Sequence, residues 1–511
     1  NIILKEPYVM KLLKLIALIL LTTMIFTILS ACNNQSSQKD PVSLDDKSNT
    51  ASANSTPETS KGPLDHLETK NLDKDIVFLV NTATDISNGY RSIEICPNEE
   101  SEKYSYLNEY TAKRNKMIED KLGVRISEKR TTDMVFDINS ALLDGGNAEF
   151  QIVVPWVTDA APLVTTNAFY DLMTFDDIIN FDAPYWDQNA NENLLINKKL
   201  YFTTGDFSML SMDVTHCMVF NKDVVAEKSL EDPYKLVSEG KWTFDKMMEL
   251  SKSVTADTDG TPGMTYKDSV GLFINSNFSN SLFIGAGQHF ITKDSSGTPV
   301  LSIYSDTAVD VVKKITDIFH SKDAINIESF NDDAKKDGYT NCYWAARAAL
   351  AEKRALFTTI SLSDIISIAN THDANFGLLV TPKFSDDQSR YYSYISVVYA
   401  TCCAIPTFNP DPETAALVLE ALSASSTNTV KKQYYDRILK AQKINDAEGE
   451  KMLDFIFDNR IYDLGAIYNW GKLRDFLIPI CIDGTDTFTA KYSSEQDLIN
   501  EEIKNTLDFL K

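Results

Sequence analysis

The chain has 511 residues, of which 49 are lysine or arginine and 73 are aspartate or glutamate, so its formal net charge is −24. This balance argues against a nucleic-acid partner, because phosphate binding requires a basic face. The chain is also too long for one hydrophobic core, so two or more domains or lobes are expected.

The first recognisable pattern begins at Met10. Two lysines precede an apolar run over 15–29, which ends in Leu29-Ser30-Ala31-Cys32. That order is typical of a secretory signal peptide, and its last four residues resemble the bacterial lipobox. We predict a lipoprotein signal peptide over 10–31, a lipid on Cys32 and an upstream extension over 1–9. The alternative is a membrane-spanning anchor, since the run approaches the roughly 20 residues that a spanning helix needs.

Residues 33–70 are rich in Ser, Asn, Thr, Asp and Lys and contain few large apolar side chains. Such a stretch buries too little surface to offset the entropy of ordering it. We therefore predict a flexible tether over 32–73.

From Lys74 onward, short apolar runs alternate with helical patterns. Strands are predicted at 75–80, 124–126 and 151–154, and a helix over 106–122 ends at Gly123, a favourable C′ residue. Apolar stripes at helical spacing predict core-facing helices over 307–319 and 412–422. The alternation indicates an α/β fold with mainly parallel strands.

Motifs that carry enzymatic chemistry are absent from the sequence. It contains no GxSxG, HExxH, GxxxxGK or GxGxxG, and its five histidines are widely scattered. We predict neither catalysis nor a cofactor. Residues 257–268 place aspartates at the first, third and twelfth positions of a calcium loop, but Thr261 and Pro262 occupy the fifth and sixth. An Asp/Gly-rich turn is the favoured interpretation, with calcium as the alternative.

Seven cysteines occur without a CxxC or Cys/His spacing. In a chain of this size the pattern favours buried free thiols over a disulfide framework or a zinc site.

An aromatic residue stands where a ligand of an open α/β sheet is expected. Trp156 follows the strand at 151–154, and Asp159 comes three residues later. Ligands of such sheets bind beyond the carboxyl ends of the strands. A flat aromatic wall with a few polar groups suits a sugar ring, so the pair is a candidate carbohydrate contact.

Seven segments in one order carry a family resemblance: 185–187, 197–202, 219–223, 232–234, 240–245, 376–383 and 462–471. Together they resemble the extracellular solute-binding proteins of bacterial ABC importers, the group that includes maltose-binding protein. The resemblance covers about 74–511. It implies two α/β lobes with a ligand cleft between them and a three-strand hinge, a periplasmic-binding-protein-like fold.

The resemblance also implies boundaries. The chain would cross the hinge near 216–221, 378–383 and 423–428. The first lobe would comprise 74–216 plus 384–424, and the second lobe 221–378 plus 428–511.

Carried over position by position, the family's ligand contacts fall on Trp156, Asp159, Thr215, Asn275, Asn277 and Ser361, with Asp206 and Trp470 as further candidates. The tyrosine and tryptophan that maltose binders have near Asn277 and Ser361 are absent, which leaves the sugar unspecified. Trp344 stays undecided between cleft and core, and Trp242 is expected to pack in a lobe core.

The resulting hypothesis is a lipid-anchored receptor that captures a small, carbohydrate-like ligand and delivers it to a membrane permease. We expect a monomer. Two alternatives stay open: a surface carbohydrate-active enzyme, whose paired carboxylates one sequence cannot locate, and a sensory ligand-binding receptor.

Overall fold

The structure, a computed structural model, describes residues 62–82, 93–98, 104–145, 149–371, 374–441 and 447–510. The predicted signal peptide, Cys32, most of the predicted tether and His372 lie outside these residues. Among the described helices, none combines the length and the apolar character that crossing a membrane requires.

The first lobe is built on a parallel sheet with strand order β2–β1–β3, formed by β1 (Lys74–Asn81), β2 (Val124–Thr131) and β3 (Ile152–Val154). Residues 401–404 continue this sheet beside β3 through antiparallel bridges from Ala404 to Val153 and from Thr401 to Trp156. The helices of this part are α1 (Asn108–Leu122), α2 (Met134–Leu143), α3 (Val157–Val164), α4 (Gln188–Leu194) and α5 (Met209–Asp213).

The predicted end of the first helix is confirmed. Gly123 follows α1 with a φ of 69°, a left-handed conformation that glycine adopts without steric cost, and its N–H donates to the Glu119 carbonyl. The three predicted strands of this lobe are also present.

The second lobe contains a five-stranded mixed sheet with strand order β10–β4–β9–β5–β8. Its strands are β4 (His216–Asn221), β5 (Val270–Ile274), β8 (Ala324–Asn326), β9 (Ala355–Ser361) and β10 (Phe376–Leu379), and β6 (Ile291–Lys293) and β7 (Pro299–Leu301) form a separate hairpin. Its helices are α6 (Lys222–Glu227), α7 (Pro233–Ser238), α8 (Phe244–Val254), α9 (Phe278–Gly285), α10 (Asp306–Phe319), α11 (Asn331–Lys336), α12 (Cys342–Ala351) and α13 (Ser363–Thr371).

The remainder of the chain returns through both lobes. It comprises β11 (Ser393–Tyr394), α14 (Pro412–Ser426), a π-helical turn (Thr427–Lys431), α15 (Lys432–Ala441), α16 (Ala447–Asp458), β12 (Arg460–Ile461), α17 (Leu464–Tyr468), α18 (Ile478–Asp483) and α19 (Phe488–Phe509). Strand β11 pairs with β12 in parallel.

Two of the three predicted hinge passages are extended, and the third is helical. Thr215, just before β4, forms an antiparallel bridge with Ile395, just after β11, so the chain runs side by side at these two points. Ile395 lies beyond the predicted passage at 378–383. The third passage continues from α14 through the π-helical turn into α15, which packs against α13 of the second lobe. A π-turn changes the direction of a helix without ending it, which suits a passage between lobes.

The segment that follows the predicted boundary at 384 contacts second-lobe residues. Phe384 packs edge-on against Phe244, and the backbone N–H of Trp242 donates to the Tyr391 hydroxyl at 3.1 Å. Residues 384–391 therefore belong to the second lobe, and the chain passes to the first lobe nearer Ser393.

The described end of the predicted tether is packed rather than free. Leu64 is only 6 % exposed, and the backbone N–H groups of Lys70 and Leu72 donate to the carbonyls of Lys121 and Leu122. The leucines of 62–73 supply apolar surface that the preceding segment lacks, which explains why this part associates with the first lobe.

Trp242 confirms the core assignment made from the sequence. Its indole is fully buried against Phe357, and its Nε1–H donates to the Val380 carbonyl at 2.9 Å. A buried indole with a satisfied N–H is a packing element.

Candidate functional site

A cavity of about 790 Å³ is lined by residues from both lobes. The first lobe and the extended hinge passages contribute Val214, Tyr394, Ser396, Val397, Val398 and Tyr399. The second-lobe side contributes His216, Asn275, Asn277, Asn280, Asn341, Tyr343, Trp344, Arg347, Thr359, Ser361, Ser363, Asp364, Ser367, Arg474 and Asp475. The volume lies within the range of small-molecule sites.

Amides from the loop after β5 and the start of α9 form one polar part of this wall. Asn275 holds the loop, because its Oδ1 accepts from the Phe278 N–H at 3.1 Å and its Nδ2 donates to Thr359 Oγ1 at 3.2 Å. Asn277 is exposed to the cavity. Asn280 is 4 % exposed, its Nδ2 donates to the Arg474 carbonyl at 2.8 Å, and its Oδ1 has no hydrogen-bond partner. The wall therefore offers both donors and acceptors.

A charged pair lies beside an indole on the same side. Arg347 Nη2 contacts the Asp364 carboxylate, and the guanidinium lies 5.2 Å from the centroid of the Trp344 ring. The second oxygen of Asp364 accepts from the Ser361 N–H at 3.1 Å. These contacts hold a donor group, an acceptor group and an aromatic ring in fixed relative positions.

The first-lobe wall carries the rings of Tyr394 and Tyr399, and Trp156, which does not itself line the cavity, packs against Tyr399. Trp156 follows β3 directly, as the sequence predicts, and its ring packs edge-on against Tyr399 with centroids 5.0 Å apart at 81°. Tyr399 has a φ of 69°, a left-handed conformation that costs energy for a bulky residue and occurs preferentially at binding sites. The buried Trp156 Nε1 has no hydrogen-bond partner.

His216 lines the cavity as a neutral side chain. Burial lowers the pKa of His216 to about 4, its ring stacks on Phe278 at 5.7 Å, and its Nδ1 lies 2.5 Å from Ser281 Oγ. A neutral imidazole at physiological pH contributes hydrogen bonding and shape rather than charge.

Some of the sequence-predicted ligand contacts line the cavity, and others do not. Asn275, Asn277 and Ser361 line the cavity. Thr215 lies next to the lining residue Val214 but is itself fully buried.

Asp159 lies one turn beyond Trp156, at the carboxyl edge of the first-lobe sheet. Its Oδ2 accepts from Asn81 Nδ2 at 3.3 Å, and burial raises its pKa above the usual range. Neither Asp159 nor Trp156 is among the residues that line the cavity.

Asp206 and Trp470 lie outside this cavity. Asp206 forms an ion pair with Lys431 at 2.6 Å and lines a smaller cavity of about 260 Å³. Trp470 is 4 % exposed, and its Nε1–H donates to Thr506 Oγ1 at 2.9 Å. We assign both a structural role, because each already has its polar partner inside the protein.

Most lining residues had no sequence signal as ligand contacts, among them Arg347, Asp364, Tyr394 and Tyr399. Trp344 was undecided, and the structure places it in the cavity wall. The N-terminal turn of an amphipathic helix carries Trp344, and spacing alone does not say which side of that turn faces a cleft.

The aspartates of the predicted Asp/Gly-rich turn converge but are engaged with the loop itself. Oxygens of Asp257, Asp259 and Asp268 come within 4.8 Å of one another. Asp268 accepts from the N–H groups of Thr258, Asp259 and Thr265, at 2.7, 2.9 and 2.7 Å. These bonds describe a self-capped turn, the interpretation favoured by the sequence.

The six cysteines within the described residues are free thiols, and five of them are buried. This agrees with the sequence-based interpretation. Burial raises the pKa of Cys402 and of Cys217 well above the usual range, so both stay protonated and packed.

Two sheet-centred lobes, side-by-side hinge passages and a cavity with walls from both lobes define the two-lobed fold of periplasmic binding proteins. Three solved structures are similar to it. The maltose-binding periplasmic protein MalE from Listeria monocytogenes, in complex with maltose, has a TM-score of 0.53 at 14% identity, covering 84% of this chain and 98% of that chain. An ABC substrate-binding protein from Listeria monocytogenes, in complex with cycloalternan, has a TM-score of 0.50 at 11% identity, covering 84% and 99%.

The third is a cyclo/maltodextrin-binding protein complexed with maltotetraose, with a TM-score of 0.54 at 13% identity, covering 87% of this chain and 99% of that chain. No protein-family model matches the chain, and no curated protein matches its sequence. The likeness therefore establishes the fold, while the ligand must be argued from the residues of the cavity.

Proposed function

We propose that this protein is an extracellular solute-binding receptor of an ABC importer, which captures a small carbohydrate by lobe closure. The observation that carries the proposal is the composition of the interlobe cavity. Amides, a guanidinium–carboxylate pair and aromatic rings line one space between two lobes. That combination suits a ring with an apolar face and a rim of hydroxyls.

The proposed contacts come from both lobes. Asn277, Ser361 and Arg347 supply polar groups from the second lobe, Asn275 holds the loop that carries Asn277, and Trp344 supplies a ring. Tyr399, which packs edge-on against Trp156, supplies a ring from the first lobe. The similar structures hold maltose, cycloalternan and maltotetraose, which supports a sugar as the ligand class.

Binding energy drives closure in this proposal. A ligand that touches both lobes has a higher affinity for the closed arrangement than for the open one, so it shifts the population toward closure. The closed form would then present a composite surface to the membrane permease. No covalent step is involved.

The remaining parts of the proposal concern location. Lipidation at Cys32 would anchor the protein to the outer face of the bacterial membrane, and the polar segment after Cys32 would act as a tether. The protein would act there as a monomer that meets the permease.

A thermal-shift screen across mono- and oligosaccharides tests the function. A ligand that binds only the folded protein raises the apparent melting temperature, and a calorimetric titration then gives its affinity. Mass spectrometry of the recovered ligand separates a receptor from an enzyme. Chemically intact sugar supports the proposal, whereas shortened products would establish the carbohydrate-active enzyme instead.

A further inference from the structure

A second groove, of about 760 Å³, lies on the second lobe and shares no lining residue with the interlobe cavity. One wall is a face of α16 that presents Glu448, Lys451, Met452 and Phe455 at helical spacing. Helix α7 forms the second wall, and residues 383–391 form the third, directly after β10. We call this the basic groove.

The lining of the basic groove is net positive, whereas the whole chain is net negative. Its lining contains four cations against two carboxylates, whereas the chain has a net charge of −24. Arg390 and Lys451 form no ion pair with any described carboxylate, and Lys235 reaches only Glu239, at 3.7 Å. Of the two acids, Asp232 uses its carboxylate to cap α7 through the Tyr234 N–H.

Lys383 is the most informative of the four cations, because it is only 4 % exposed. Its Nζ donates to the carbonyls of Gln388 at 2.9 Å and Asp386 at 3.3 Å, and lies 5.2 Å from the centroid of the Tyr391 ring. No carboxylate in the described part of the chain lies within ion-pair distance of it. A buried ammonium group is normally matched by an opposite charge, and here none is supplied.

The floor of the basic groove is apolar. Val237, Tyr391, Met452 and Phe455 all line it. Cations without a paired carboxylate beside an apolar surface suit a ligand with an anionic group and a ring or hydrocarbon part. Repulsion from the acidic remainder of the protein is screened over roughly 8 Å at physiological ionic strength, so it does not prevent binding.

We propose that the basic groove is a second binding site, which takes a small organic anion such as a phosphorylated or carboxylated ring compound. The anionic group pairs with Lys383, Arg390 and Lys451, and the ring packs on Tyr391 and Phe455. This site is independent of the proposed sugar receptor function, since it lies outside the cleft.

The test is calorimetric titration of the protein with three probes at constant ionic strength: phenyl phosphate, inorganic phosphate and phenol. We expect saturable binding of phenyl phosphate, weaker binding of inorganic phosphate, and the weakest binding of phenol. Replacing the two exposed cations together, Arg390→Gln with Lys451→Gln, should weaken phenyl phosphate binding by about tenfold or more, because two charge-assisted contacts are lost.

Lys252→Gln is the matched control, because Lys252 is an exposed lysine of the same lobe outside the basic groove. Trp344→Ala is the second control and should leave phenyl phosphate binding unchanged. The proposal is overturned if phenyl phosphate does not bind. It is equally overturned if Lys252→Gln weakens binding as much as the double variant, or if only Trp344→Ala does. Sugar binding measured on the same double variant reports on the cleft separately.

Discussion

Trp344 is the residue on which the proposed sugar contact depends most. Its ring is half-buried in the second-lobe wall, and the Arg347 guanidinium covers it at 5.2 Å. A ring held in this way loses little additional conformational entropy when a ligand stacks on it.

We expect Trp344→Ala to weaken binding of the cognate sugar by about tenfold, the value of one aromatic contact plus the area that it buries. Calorimetry on the variant measures the change. Phe136→Ala is the control, because Phe136 is a large exposed aromatic side chain outside the cavity. Equal affinity of wild type and Trp344→Ala would remove Trp344 from the site.

Glu94 carries a pH dependence that is separate from binding. Burial raises the pKa of Glu94 to about 7, from the model-compound value of 4.5, even though its Oε1 accepts from Thr401, Leu210 and Ser208. The folded protein therefore binds this proton more tightly than the unfolded chain does. The stability contributed by the protonated form is fully present below about pH 4.5 and is lost as the pH rises through about 7.

We expect Glu94→Gln to remove this dependence, since glutamine keeps the acceptor oxygen and does not ionise. Relative to wild type, the free energy of unfolding of Glu94→Gln should rise between about pH 4 and pH 8, by on the order of 3 kcal/mol. Urea unfolding across that range measures it, and the exposed Glu109→Gln is the control. A difference between Glu94→Gln and wild type that stays constant with pH would contradict the assignment.

The sequence predicted single residues well only where their position along an element determined their role. Trp242 was assigned to the core by the usual burial of aromatic side chains, and it is fully buried. Trp156 stays a predicted contact, since it lies just past a strand but does not itself line the cavity. Arg347 and Asp364 became a pair only when α12 and α13 were brought together in the fold. No spacing along the chain contains that information.

At the scale of elements, the π-helical turn is the part of the hinge that the sequence did not indicate. Thr427 and Lys431, both in this turn, reach the same buried carboxylate, that of Asp206, at 2.7 and 2.6 Å. The third passage between the lobes is therefore tied to the first lobe by one ion pair and one hydrogen bond.

We expect Lys431→Met to lower the free energy of unfolding by about 1–3 kcal/mol, because it leaves the buried Asp206 with its hydroxyl partner alone. The adjacent Lys432→Met is the matched control. Lys432 pairs with Asp436 at the surface at i,i+4, so its loss should cost less than about 0.5 kcal/mol. Chemical denaturation compares the two, and equal effects would show that the Asp206 tie contributes nothing.

Regular elements were predictable where one residue pattern determined them. The helix at 108–122 ends at Gly123 as expected, and apolar stripes correctly placed the helices at Asp306–Phe319 and Pro412–Ser426. The contacts of Phe384 and Tyr391 with the second lobe are long-range, so no local pattern indicated them. The packing of 62–73 was missed because a few leucines within a polar segment give no periodic signal.

At the scale of the whole molecule, two sheets of different strand order organise the two lobes, and residues of both lobes line the cavity. The sequence resemblance anticipated this division, since its segments are spread along both lobes. The chemistry of the cavity depends on side chains from six separate regions of the chain, which is why the ligand class had to be argued from the folded arrangement.

Small-angle X-ray scattering with and without a saturating sugar from the thermal-shift screen tests the central claim most directly. A ligand held between two lobes favours the closed arrangement, so the radius of gyration should fall on binding and the maximum dimension should shorten. Saturable binding with an unchanged scattering profile would contradict the account, because the sugar would then be bound without closing the lobes.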